Sequence, residues 1–177
     1  ALAGPAVVLT PDPALLLAAI DGPAAGGPSI YRSTDGGRTW LPRRGLGVHD
    51  VHALAVAPDR LVYAATQDRL YRSADGGNTW LEAGRRPAAS PVLSMLVDLA
   101  SGTLYIGSAQ AGLWRTGDRG ASWWAALDEH SVYAIGLGAE GRVYAATDEG
   151  LHASLDNGIS WRALGTSRDP IVALAVV

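Results

Sequence analysis

The chain has 177 residues, a net charge of −3, 48% hydrophobic residues and 18% charged residues. That is enough for one domain or two small ones, with too little net charge for disorder. The absence of cysteine excludes a disulfide framework, a zinc knuckle and a thiol nucleophile, and the slight acidity argues against nucleic acid, whose phosphates need a basic face. All 14 basic residues are Arg, which reads most simply as a coding bias.

Short runs rich in β-branched, Leu and Tyr residues, bounded by Gly, Asp and Pro, predict strands rather than helices. In chain order they cover 6–10, 15–20 and 29–32; then 51–56, 61–66 and 69–72; then 92–97, 103–107 and 112–115; then 132–137, 142–147 and 150–153; and finally 171–177. The apolar run at 13–20 is too short to span a bilayer. It lacks a basic flank and a cleavage site, so it is not read as a signal peptide.

Each third run leads into an eight-residue box, at 33–40, 73–80, 116–123 and 154–161, with the pattern Ser/Thr-x-Asp-x-Gly-x-Ser/Thr-Trp. The Asp-to-Asp steps are 40, 43 and 38 residues. Such a period with about four strands per unit is the dimension of a propeller blade. The expected fold is therefore an all-β propeller of four-stranded antiparallel blades, at 1–46, 47–87, 88–128 and 129–169. A further inner strand is expected to begin in 170–177. Three closures compete: a piece of a larger propeller, a four-bladed ring, or copies combining into one ring. The first is preferred, because a lone terminal strand leaves an apolar edge unpaired.

Within the box, an Asp followed two residues later by Gly suits a turn whose N–H groups are accepted by the carboxylate. The expected turn residues are Asp35, Gly37 and Trp40; Asp75, Gly77 and Trp80; Asp118, Gly120 and Trp123; and Asp156, Gly158 and Trp161. The glycines supply positive φ and the indoles pack beneath the turn. One carboxylate per turn is too few for calcium, so neither a metal nor a cofactor is expected. Arg32, Arg72 and Arg115 precede successive boxes and are expected to stack beside the box Trp.

The Tyr-Arg-Ser-x-Asp-Gly-Gly-x-Thr-Trp form at 31–40 and 71–80 resembles the Asp-box, or bacterial neuraminidase repeat, superfamily of β-propellers. That superfamily includes sialidases, xyloglucan-hydrolysing glycosidases, sortilin-type receptors and photosystem II assembly factors. The resemblance implies the fold and an extracytoplasmic location. Sialidases of this superfamily carry an Arg-Ile-Pro motif, which is absent here. The repeat style is nearest to the assembly-factor and sortilin types, which implies a scaffold without catalytic residues. The alternative is a carbohydrate-active domain, a glycosidase fragment or a lectin-like module; glycosidase chemistry needs two carboxylates across a cleft, and spacing alone selects no pair.

In an up-and-down blade the box turns share one end with the first hairpin, and the remaining loops share the other. A partner is expected at that other end, on a rim of Arg43, Arg44, His49, Arg85, Arg86, Asp128, Glu129, His130 and Arg168. Arg is a frequent interface anchor; the competing reading is an ordinary solvated rim. Another protein is the expected partner and a sugar the alternative, with no nucleic acid and no membrane-spanning segment.

Overall fold

The computed structural model describes residues 7–9, 12–19, 30–43, 46, 51–57, 59–66, 69–85, 90–128, 130–166 and 169–175. Contacts divide the chain into two compact units, Ala1–Arg86 and Pro87–Val177. The first unit holds β1 (Val7–Leu9), β2 (Leu16–Ala19), β3 (Ile30–Ser33) and β4 (Leu41–Arg43), then β5 (Ala53–Val56), β6 (Val62–Ala65), β7 (Arg69–Ser73) and β8 (Leu81–Arg85). The second holds β9 (Val92–Val97), β10 (Leu104–Ser108), β11 (Leu113–Thr116) and β12 (Trp124–Leu127), then β13 (Val132–Leu137), β14 (Val143–Thr147), β15 (Gly150–Ser154) and β16 (Arg162–Thr166).

These form four sheets of four strands, each in simple sequential order and antiparallel throughout. Among the described residues there is no α-helix, only a 3₁₀ turn at Ala139–Gly141.

The second strand of a sheet has a partner on each side, and its side chains are covered on both faces. Accordingly β6 and β10 are buried at every position, and both read as unbroken runs of apolar and small residues. The fourth strand is an edge, and its first residue is open to solvent: Leu41 is 55% exposed and Leu81 68%. In the first unit the core joins both sheets through Leu17, Ile30, Leu54, Val62, Tyr71 and Trp80. In the second, Tyr105, Leu113, Val132 and Val143 do the same, with Trp161 packed against them. Each such large side chain contributes about 1.5–3 kcal/mol of burial.

Within each unit the seam between sheets runs through a box. Gly77 has φ +82, and a Cβ there would lie 2.5 Å from Leu17 Cδ2 on β2. Gly158 has φ +77, and its Cβ would lie 2.8 Å from Tyr105 Cε1 on β10. Both glycines are therefore needed twice, for backbone conformation and for the neighbour's approach. Burial pushes the Tyr105 phenol up to about 12, and its hydroxyl donates to the Asn157 carbonyl at 2.9 Å.

Two expectations need correction. Residues 171–175 form no strand; Ile171 N–H donates to the Thr147 carbonyl at 3.1 Å, but one such bond makes no ladder, and Val172 is 65% exposed. Two of the arginines before the boxes, Arg32 and Arg115, have partners other than their own box Trp. Arg32 Nε donates to the Gly76 carbonyl in the following box at 2.9 Å. The Arg115 guanidinium lies 5.8 Å from the ring centre of Trp124, one residue past its box.

Candidate functional site

The two ends of the sheets offer different chemistry. At the box end, Ser73 Oγ donates to Asp75 Oδ1 and accepts the Gly77 N–H, both at 2.8 Å. Asp75 Oδ1 also accepts the N–H groups of Asn78 at 3.0 Å and Thr79 at 2.8 Å, while Oδ2 accepts the Thr79 hydroxyl at 2.5 Å. The same network recurs around Asp35, with Ser33 and Thr39, around Asp118, with Thr116 and Ser122, and around Asp156, with Ser154 and Ser160.

These bonds favour the ionised form. The hydroxyl and N–H of Thr39, then Ser33, hold Asp35 down to about 2; those of Ser122, then Thr116, do the same for Asp118. Slight burial pulls Asp75 upward, but the bonds from Thr79, Ser73 and Asn78 outweigh it and leave it at about 2. Ser160 and then Ser154 hold Asp156 well below the usual carboxylate range. The indole N–H of Trp40 donates to the Gly37 carbonyl at 3.0 Å, and that of Trp161 to Gly158 at 3.3 Å. Trp80 and Trp123 occupy the equivalent places, and Gly120 has φ +92 like its counterparts.

At the other end of the second unit, the loop before β13 and the turn between β14 and β15 meet. His130 Nδ1 lies 3.4 Å from Asp148 Oδ1 and 4.0 Å from Glu149 Oε2. The His130 and His152 rings are 5.1 Å apart at their centres. Burial first, and the neighbouring His130 second, hold His152 below its ordinary value of 6.5, against the opposing pull of Glu149 and Asp148. Hydrogen bonds from backbone N–H groups bind the loops together. Gly112 N–H donates to the His130 carbonyl at 2.9 Å, Gln110 N–H to Ser131 Oγ at 3.1 Å, and Ser131 N–H to Asp148 Oδ1 at 3.2 Å. Gly112 is fixed by this crowding, since a Cβ would lie 2.0 Å from the Leu127 carbonyl oxygen.

Of the rim residues named from sequence, His130 thus stands in a cluster, and Asp128 is exposed beside it. Arg43 ends β4 opposite Ile30, with Nη1 donating to the Pro42 carbonyl at 3.3 Å. Arg85 lies in β8 opposite Arg69 in register, and Arg69 forms an ion pair with Glu82. Arg44, His49, Arg86, Glu129 and Arg168 lie outside the described residues. The rim named from sequence includes neither Asp148 nor His152. The cue was the register: Ala145 pairs with His152 on the same hairpin whose turn carries both carboxylates. Among the described residues no group of three or more His, Asp or Glu side chains is arranged to hold a metal ion. Among the described residues no helix is long and apolar enough to cross a membrane.

No family model matches the chain, and no curated protein is significantly similar to it. Solved structures are. The GH74 xyloglucanase from Xanthomonas campestris is 22% identical with a TM-score of 0.72, over 93% of this chain and 30% of that one. YCF48 from Cyanidioschyzon merolae is 17% identical with a TM-score of 0.65, over 93% of this chain and 57% of that one. A structure of YCF48 bound to D1 peptide is 16% identical with a TM-score of 0.60, over 86% and 51%. The chain thus spans less than a third of the xyloglucanase and somewhat over half of YCF48. At these identities the likeness shows the fold alone, an all-β propeller architecture of four-stranded antiparallel blades.

Proposed function

We propose that the chain is a protein-binding or assembly scaffold of the Asp-box type, without catalytic residues, whose four blades form one stretch of a larger propeller. The observation that carries this reading is the loop end of the second unit. There, hydrogen bonds between loops hold a polar group in which His130 and Asp148 are half-buried and Glu149 is exposed. A pre-fixed polar surface loses little freedom on binding and selects partners by charge. Both carboxylates stand on one turn against one imidazole, rather than on separate elements flanking a groove as glycoside hydrolysis requires. YCF48, which shares the fold, has been captured with a peptide, and this supports a protein partner.

On this reading the first unit carries rim residues Arg43, Arg44, His49, Arg85 and Arg86, and the second carries Asp128, Glu129, His130 and Arg168, with Asp148 and Glu149 added. The box residues hold the fold and bind neither metal nor cofactor. Affinity capture from the native lysate tests it. The wild-type chain retains a partner, and a chain with Arg43, Arg44, Arg85 and Arg86 all changed to Glu, or with Asp148→Asn and Glu149→Gln, loses it most strongly at low salt, where screening is least. Identical partners and salt dependence for every rim variant defeat the reading. The likeness to a xyloglucanase favours a second reading, a sugar-binding module. Saturable heat on titration with a xyloglucan oligosaccharide supports that one instead.

A further inference from the structure

A cavity of about 260 Å³ opens on the box side of the first unit, between the β1–β2 turn, the β5–β6 turn and the second box. Leu15, Val56 and Val62 are its apolar lining residues, and Arg32 and Arg60 its basic ones. Its volume is near the lower end of small-ligand sites.

Arg32 is held at its guanidinium and Arg60 by its backbone. The bond from Arg32 Nε to the Gly76 carbonyl, 2.9 Å, fixes the plane of that guanidinium at the box. Arg60 sits at φ +61, with its N–H donating to the Ala57 carbonyl at 3.0 Å. A side chain is disfavoured in that conformation, which suits glycine. The corresponding turns of the second unit place Gly102 (φ +73) and Gly141 (φ +74) there. The Arg60 side chain is thus present at a position where the backbone favours none. Two carboxylates also line the cavity, and both serve their own turns. Asp75 accepts box donors on both oxygens, and Asp12 Oδ1 accepts the Ala14 N–H at 2.9 Å.

We propose that this cavity binds an aliphatic carboxylate, with the anion between Arg32 and Arg60 and the alkyl body against Leu15, Val56 and Val62. Planar guanidinium groups suit this anion because each presents paired donors. The same chemistry is offered by a free short-chain acid and by the C-terminus of a peptide ending in an aliphatic residue. The site is independent of the rim reading, since it lies at the other end of the blades.

The test is calorimetric or NMR titration of the purified chain with isovalerate, N-acetyl-leucine and N-acetyl-leucine amide. Both acids are expected to saturate, with the amide at least about tenfold weaker, the scale of a hydrogen bond to a charged group. Tighter binding of N-acetyl-leucine assigns the site to a peptide C-terminus, and tighter binding of isovalerate to a free acid. Arg60→Gly suits the backbone and removes the guanidinium, so it is expected to keep the melting temperature at or above wild type and weaken both acids about tenfold. Failure of both acids to saturate by about 10 mM, equal binding of acid and amide, or unchanged affinity in Arg60→Gly overturns the proposal.

Discussion

The two ends of the second unit are closed in different ways. At the box end each turn closes on itself: Asp118 and Asp156 gather donors from residues at most four positions away. At the loop end closure runs between loops, joining Gln110 to Ser131 and Ser131 to Asp148 across 21 and 17 residues. A locally closed turn is complete within its own hairpin and serves as a repeated part. A cross-closed rim exists only when several loops are in place together, and it draws the Ser131 hydroxyl and the Asp148 carboxylate into closure while Glu149 stays exposed. The comparison separates what holds the blades from what they can display.

The box end breaks most severely at its seam. Gly158→Ala forces a side chain into φ +77 and against Tyr105. Conformational cost and overpacking together predict a loss of about 3 kcal/mol, read by urea denaturation. Asp75→Ala orphans turn donors without touching the seam, and is expected to cost about 1–2 kcal/mol. Asp75→Asn keeps an acceptor and is expected to cost less. An unchanged melting curve for Asp75→Ala removes the box from the account.

Acid separates the two ends without mutation. Asp75 titrates near 3.8 when unfolded and at about 2 when folded, so between these values the unfolded chain holds more protons. Its stabilisation is therefore complete above about pH 4 and is lost as the pH falls toward 2. Asp35 and Asp118 share this window. A flat stability profile from pH 5 to about pH 2 contradicts this. The smallest effect belongs to the loop end. His152 resists protonation in the folded state, so its contribution is complete above 6.5 and declines as the pH drops below that value. His152→Gln is expected to flatten this upper shoulder and leave the acid limb in place. A shoulder identical in the variant assigns it elsewhere.

The same contrast explains what was legible in the sequence. A turn closed by neighbours writes itself as a fixed spacing, so the boxes and the blade period were readable from Asp35, Asp75, Asp118 and Asp156. The first three strands of each blade followed from their apolar runs. The fourth strands, such as Leu41–Arg43 and Trp124–Leu127, are exposed edges with no pattern of their own. The approach of His130 to Asp148 depends on two loops meeting, and no local spacing encodes it. The second left-handed residue of the later boxes, Arg119 at φ +62 and Asn157 at φ +57, was hidden because only the first two boxes carry a Gly pair. The run at 171–177 read as a strand from composition, yet pairing, which composition does not carry, decides the matter.

The division of labour is tested most directly within the second unit by comparing Asp156→Ala with the pair Asp148→Asn and Glu149→Gln. Melting temperature and affinity for the captured partner are measured for both under conditions where each is folded. The account predicts that the box variant melts lower and binds as wild type, while the rim variant melts within about a degree or two of wild type, as surface changes do, and loses binding. A rim variant that binds normally, or a folded box variant that loses the partner, contradicts it.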